Sequence, residues 1–131
     1  MIVLDTHAWI WWISNPEKLS SPAKKAINKA VKGKNIYISS ISAWEAALLH
    51  INKRLELSID FDEWLAKTEK LPFLSFIPID NRIVIKSVSL SEPLHRDPAD
   101  RIIISTAITL GAALVTKDDK IINYPHVETI W

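Results

Sequence analysis

Short apolar runs recur along this chain, each handing over to a segment with helical signals, and that alternation restricts the fold more than any other feature. Ile2-Val3-Leu4 is unbroken, as expected of a strand buried on both faces. Ile36–Ser39, Phe73–Ile79 and Ala113–Thr116 read the same way, with Val127–Ile130 as a last short strand. Helical stretches lie between them: residues 8–13, ending before Asn15-Pro16, and a second from Ser21-Pro22 to Gly33. Others run from Ser42 to about Ile51, over Phe61–Lys70, over Asn81–Leu90 and over Pro98–Leu110. Ser21-Pro22 and Asp97-Pro98 each set a cap before a proline at the first helical position, and Gly33 and Gly111 read as helix C-caps. Strands alternating with helices predict an α/β fold of three layers, with a central, mostly parallel sheet of four or five strands. No repeat, low-complexity tract or linker interrupts the 131 residues, so the chain, 1–131, reads as a single domain.

Composition removes several classes of function. Only two glycines are present, which leaves no Gly-rich phosphate loop and argues against P-loop and dinucleotide-binding readings. Cysteine is absent, so a disulfide framework and a thiolate metal site are both excluded. The N-terminus has no positively charged region ahead of Asp5, and the most apolar stretches, Ala8–Ile13 and Ala107–Val115, are too short to span a bilayer. The expectation is a soluble, cytoplasmic protein without membrane contact. The formal net charge of +1 favours neither nucleic acid nor its absence. Lys24, Lys25, Lys29, Lys32 and Lys34 read first as a solvated helix face and second as a rim for RNA, while Lys53-Arg54 and Arg96 lie near two acids.

In a sheet of this kind, ligands bind outside the carboxyl ends of the strands, where the strand order reverses. Asp5 directly follows the first strand, and Asp118 lies just past Ala113–Thr116. Glu45 and Asp100 fall in first helical turns at the same edge. Three of these acids have ordinary structural explanations. Ser42-Ala43-Trp44-Glu45 fits a capping box, Asp97-Pro98-Ala99-Asp100 puts an acid where the helix dipole favours it, and Lys117-Asp118-Asp119-Lys120 fits a solvated turn. Asp5, at the end of a buried strand, has none, and burying it uncompensated costs several kcal/mol or more. Carboxylates gathered at one edge repel one another unless a cation occupies the site. Hard oxygen donors suit Mg²⁺ or Mn²⁺, and such an ion activates water and neutralises charge on a phosphoryl oxygen. The pattern therefore points to metal-dependent hydrolysis of phosphodiesters, with Asp5, Glu45, Asp100 and Asp118 as catalytic and metal-binding residues.

His7, His50, His95 and His126 have no metal-ligand spacing, although His7 is close enough to Asp5 to touch substrate. Ser39, Ser40 and Ser42 lack a nucleophile elbow. Six tryptophans are many for this length. Trp11 and Trp12 would point about 100° apart on a helix, so one packs inward and the other is half-covered or lies at a protein interface.

Four segments, Ile2-Val3-Leu4-Asp5-Thr6-His7-Ala8, Ser42-Ala43-Trp44-Glu45, His95-Arg96-Asp97-Pro98-Ala99-Asp100-Arg101 and Leu114-Val115-Thr116-Lys117-Asp118, occur together in this order. In them the chain resembles PIN-domain ribonucleases of the VapC type, toxins of type II toxin–antitoxin systems, over essentially its whole length. The resemblance implies a PIN-like three-layer fold, a carboxylate cluster binding Mg²⁺ or Mn²⁺, and endonucleolytic cleavage of RNA by a metal-activated water. It implies Asp5 and Asp100 as central ligands, Glu45 as ligand or orienter, and Asp118 as a ligand directly or through water. Thr6 and Thr116 would orient these groups, Asp97 would cap its helix, and Arg101 would pair with a neighbouring acid. It further implies a homodimer and a cognate antitoxin covering the active-site groove. The tryptophans themselves suggest that the first helix, with Trp9, Trp11 or Trp12, contributes to a protein interface. After Trp44-Glu45 the helix is wholly apolar over Ala46-Ala47-Leu48-Leu49, which departs from many relatives. Two rival readings are a catalytically silent PIN-like domain that binds RNA or protein, and an Asp-based phosphotransfer enzyme. The second suffers because position 7 is His where a phosphatase of that kind needs a second Asp.

Overall fold

The computed structural model describes residues 1–131. Its first strand, β1 (Ile2–Leu4), is buried at every position. It leads into α1 (Thr6–Ser14), a single 3₁₀ turn (Pro16–Lys18) and α2 (Ser21–Gly33). Next come β2 (Ile36–Ser39), α3 (Ser40–Ile51), α4 (Phe61–Glu69), β3 (Leu74–Ile77) and α5 (Asn81–Val88). The remainder is α6 (Pro98–Leu110), β4 (Ala113–Val115), α7 (Asp119–Ile122) and β5 (Thr129–Ile130). The five strands form one sheet in the order β3-β2-β1-β4-β5, and each neighbouring pair is parallel. The sheet is thus parallel throughout, not merely mostly so.

The period-two alternation of strand side chains builds the three layers. Ile2 and Leu4 of β1, Ile36 and Ile38 of β2, and Val115 of β4 enter one core with α1, α2 and α4. Val3, Tyr37 and Leu114 face the other way, onto Ile103, Ile104 and Ala107 of α6. In the first core the Trp9 ring stacks on Trp64 at 4.7 Å, and Phe76 meets its edge at 5.6 Å. Trp9 is fully buried, which removes it from any interface, and Trp12 packs on Phe73 at 6.0 Å. The lysines of α2 at 24, 25, 29, 32 and 34 are all exposed, as on a solvated face. No helix is long and apolar enough to cross a membrane.

Several boundaries depart from the sequence reading and the short α7 was not expected; three of the departures have a clear local reason. Strand β2 runs into α3 with no loop, because Ser39 is both its last residue and the helix N-cap, accepting from the Ile41 N–H at 3.2 Å. The helix therefore starts at Ser40, so Ser42 is inside it and Ser42–Glu45 is not a capping box. Strand β3 stops at Ile77, ahead of Pro78, which has no N–H to donate to a ladder. Gly33 is the last helical residue of α2, and the left-handed position that follows is Lys34 (φ 54°).

At Gly111 the expected C-cap is present, with φ 66°. Its N–H donates to the Ile108 carbonyl at 3.1 Å, and that of Ala112 to Ala107 at 2.9 Å. A Cβ there would meet nothing within 4 Å, so Gly111→Ala isolates the backbone cost. The expected loss is about 1–2 kcal/mol, read as a lower urea midpoint at unchanged slope.

Candidate active site

In the strand order, β1 has β2 on one side and β4 on the other, so the chain builds outward through β2 to β3 and then crosses back past β1 to place β4 and β5 on the opposite side. A crevice opens at such a reversal, beyond the carboxyl ends of the strands. Here it is a cavity of about 430 Å³ lined by Asp5, Glu45, Asp100 and Asp118, together with Thr6, His7, Trp11 and Lys117.

Asp5 caps α1 and is 9% exposed. One carboxylate oxygen accepts from the Thr6 N–H at 2.8 Å and the other from the Thr116 hydroxyl at 2.7 Å. The same Thr116 oxygen accepts from the Asp118 N–H at 3.1 Å, so one buried hydroxyl ties the end of β4 to the end of β1. Asp118 itself caps α7, accepting from the Lys120 N–H at 2.9 Å. On the α3 side, Thr6 Oγ1 lies 2.6 Å from Glu45 Oε1 and 2.9 Å from Ser42 Oγ. One hydroxyl proton cannot serve both. The shorter contact to the carboxylate takes it, and Ser42 then donates to Thr6. Asp100 accepts from His95 Nε2 at 2.6 Å, while Asp97 caps α6 by accepting from the Asp100 N–H at 3.0 Å.

All three inner carboxyls are harder to ionise than usual. Burial raises Asp5 most, opposing its hydrogen bonds to Thr116 and Thr6, and the charge of Asp100 adds to the rise. Burial also pushes Glu45 up to about 7, against the Thr6 hydrogen bond and helped by Asp5 and Asp100. Asp100 is raised by burial and by Asp97 and Asp118, with the His95 hydrogen bond acting against the rise. No lysine or arginine forms an ion pair with any of the four acids.

Arg101 is not brought to this cavity. Its guanidinium donates to the carbonyls of His95 (2.9 Å), Leu94 (3.0 Å) and Ser87 (3.4 Å) and pairs with exposed Glu92 at 3.5 Å. Residues 100 and 101 point about 100° apart on a helix, so one faces the cavity and the other holds the loop ahead of α6. Glu45 lies in the second turn of α3, a turn later than expected, because the helix starts at Ser40. Sequence reasoning missed His95, Ser42, Trp11 and Lys117 as parts of the site. Only the five-residue spacing of His95 and Asp100 around Asp97-Pro98 offered a signal.

Chemically, the donor set suits a hard divalent cation. Its acids are oxygen donors, partly desolvated and without a lysine or arginine partner. No three Asp, Glu or His groups are poised to grip an ion unaided. Mg²⁺ tolerates that arrangement, because it keeps several waters and uses one or two carboxylates. The Thr116 hydroxyl is testable without any ion. Thr116→Val deprives Asp5 of a donor and the Asp118 N–H of its acceptor, for an expected loss of about 1–3 kcal/mol, while Thr116→Ser stays near wild type. Denaturant melts of the two variants check this, and an unchanged Thr116→Val midpoint would show that the hydroxyl contributes nothing.

A larger cavity, about 570 Å³, is lined by Ile13, Leu57, Ile59, Trp64 and Leu71, with Glu56 and Lys67 as its charged side chains. It lacks converging acids.

The architecture and sequence both match known proteins. Residues 2–127 fit the PIN domain family. The chain is 33% identical to Ribonuclease VapC22 of Mycobacterium tuberculosis (strain ATCC 25618 / H37Rv), over 99% of this chain and 98% of that protein. Among solved structures it resembles VapBC2 from Rickettsia felis bound to a DNA fragment from its promoter, with a TM-score of 0.71 and 21% identity. That alignment covers 98% of this chain and 97% of the other. A toxin-antitoxin complex from Klebsiella pneumoniae gives a TM-score of 0.64 at 22% identity, over 97% of this chain and 95% of the other. FitAcB from Neisseria gonorrhoeae also reaches 0.64, at 20% identity, over 98% and 96% of the two chains. With this sheet order, this carboxylate cavity and these matches, the chain belongs to the PIN domain family and, within it, to the VapC ribonucleases.

Proposed function

We propose that the protein is a Mg²⁺- or Mn²⁺-dependent endoribonuclease, the toxin of a type II toxin–antitoxin pair. The observation that carries this reading is the gathering of Asp5, Glu45 and Asp100 in one cavity, each held above its ordinary pKa with no lysine or arginine paired to it. A silent binding domain would gain by replacing such a cluster with neutral residues.

Asp5 and Asp100 would hold the ion, with Glu45 and Asp118 beside them. When bound, a divalent cation lowers the pKa of water and neutralises charge developing on a phosphoryl oxygen. Thr6 fixes Glu45 through Oε1 and leaves Oε2 without a protein partner. His95 holds Asp100, and Thr116 holds Asp5, so neither carboxylate has to be reoriented when substrate arrives. Exposed His7 and Lys117 stand at the cavity mouth, where they can meet phosphate oxygens of an RNA strand. The toxin–antitoxin assignment rests on the kinship with VapC22 and on the solved toxin–antitoxin complexes with this fold, and the homodimer is what the family resemblance implies.

The deciding experiment incubates the purified, partner-free chain with total cellular RNA and Mg²⁺ or Mn²⁺, with EDTA and Asp100→Asn controls, and sequences the new ends. Discrete cuts requiring both the ion and Asp100 are expected. Cutting that survives EDTA or Asp100→Asn, or no cutting by folded protein, overturns the reading.

A further inference from the structure

A second groove, about 480 Å³, adjoins the carboxylate cavity, and His7 and Trp11 line both. These residues are four apart on α1 and share one face of it. The electrostatic character reverses across them. On the far side the groove is lined by exposed Lys18, Lys53 and Arg54, with Glu56 as its one acid, and none of these three cations is in an ion pair.

Trp11 stands at the boundary. Its half-buried ring has the Lys117 ammonium 5.7 Å from its centroid, Lys18 at 5.9 Å and the His7 ring at 5.6 Å. Lys117 belongs to the acidic cavity and Lys18 to the basic groove.

We propose that this groove is the subsite for the RNA strand on one side of the scissile bond. Lys18, Lys53 and Arg54 hold its phosphates, and Trp11 offers a ring against which a base stacks. The proposal rests on the ribonuclease reading and deepens it, because it gives the strand a direction of exit from the cavity. Unpaired cations along a groove, interrupted by an aromatic ring, are what a single-stranded nucleic acid requires, one feature for its backbone and the other for its bases. Continuity with the carboxylate cavity through His7 and Trp11 favours this occupant over a protein segment.

Lys53 makes the test clean. It occupies the left-handed position that closes α3 (φ 57°), its N–H donating to the His50 carbonyl at 3.1 Å and that of Arg54 to Leu49 at 2.8 Å. Glycine is the residue best suited to that position, so Lys53→Gly removes a charge while relaxing the backbone. Weaker binding by this variant cannot then be blamed on unfolding, provided its Tm is no lower than that of the parent.

The probe is a fluorescein-labelled single-stranded 12-mer RNA of mixed sequence, its binding followed by anisotropy on the Asp100→Asn background from 50 to 300 mM salt. The combined variant Lys18→Ala/Lys53→Gly/Arg54→Ala is expected to raise Kd about tenfold or more and to flatten the salt dependence by about 0.7 in log–log slope for each phosphate that no longer meets a cation. Trp11→Ala is expected to weaken binding without changing that slope. The control Lys24→Ala/Lys25→Ala/Lys29→Ala removes the same charge from α2 and is expected to change Kd by less than about twofold.

Equal losses from the groove variant and the α2 control would reduce the effect to bulk charge and overturn the proposal. Wild-type affinity in the groove variant would overturn it as well and leave the groove to a protein partner. If the parent binds no RNA and the wild-type chain cuts none, the ribonuclease reading itself fails, which is a distinguishable result.

Discussion

Asp5→Asn is expected to lower RNA cleavage about a thousandfold or more, some 4 kcal/mol of transition-state stabilisation, while making the cation-free protein more stable. The two effects come from the same property. Asp5 is buried, carries a pKa above the ordinary carboxylate range and faces the charge of Asp100, so its ionised form is costly to the fold. Asparagine removes the charge and keeps the shape. Its carbonyl can still accept from the Thr6 N–H, and its amide can donate to the Thr116 oxygen once that hydroxyl turns. A gain of about 1 kcal/mol would raise Tm by about 4 °C in a chain of this length. In saturating Mg²⁺ the order reverses, because the wild type gains binding free energy that the variant cannot collect. Thermal melts of both proteins in EDTA and in Mg²⁺, beside a cleavage assay, check this. A variant that is less stable in both conditions would show that Asp5 serves the fold, not an ion.

Raising the pH is expected to destabilise the cation-free protein and to stabilise the loaded one. Glu45 has its pKa raised from 4.5 to about 7, so between those values the folded chain holds a proton that the unfolded chain has released. Stability is favoured by low pH in that window and declines as pH rises through about 7. Asp5 and Asp100 are raised as well and act in the same direction. A divalent ion must displace such protons to bind. Its apparent affinity is expected to climb with pH, by up to about tenfold per unit for each proton displaced, until the acids are fully ionised. Melts from pH 5 to 8 with EDTA or Mn²⁺ separate the two slopes, and titration calorimetry in buffers of different ionisation enthalpy counts the protons released. A flat profile in EDTA would show that the carboxyls ionise freely and that the cavity carries no electrostatic strain.

Much of the fold could be read from residues 2–4, 36–39 and 113–116, because short apolar runs between helical segments fit strands buried on both faces, although the equally apolar run at 8–13 is helical. The meeting of Asp5 with Asp118 followed from strand ends alone. For Glu45 it was the ordinary structural explanation that failed. Ser42 looked like a cap because it precedes Glu45 by three, yet the chain turns from strand to helix at Ser39, and Ser42 points inward to Thr6. Arg101 pairs with an acid, Glu92, but away from the cavity, because adjacency in sequence is not adjacency on a helix face. His95 could not be singled out, since a histidine in a loop acquires meaning only when folding sets its ring 2.6 Å from Asp100. Trp11 is the same kind of case. Its aromaticity was visible, but its place between an acidic and a basic groove depends on how α1 packs.

The hydrogen bond from Thr116 to Asp5 spans 111 positions of sequence. On a ribosome adding about 5–20 residues per second, Asp5 emerges between about 6 and 22 s before the hydroxyl that will hold it. Strand β1 lies at the centre of the sheet, yet it cannot acquire its β4 neighbour until Ala113–Val115 have been made. Through that interval the nascent protein has neither Asp100 nor Asp118 in place, and the carboxylate cavity does not exist. On the ribonuclease reading proposed above, a nascent chain would have no assembled cavity with which to cut its own message until β4 and α7 have been made.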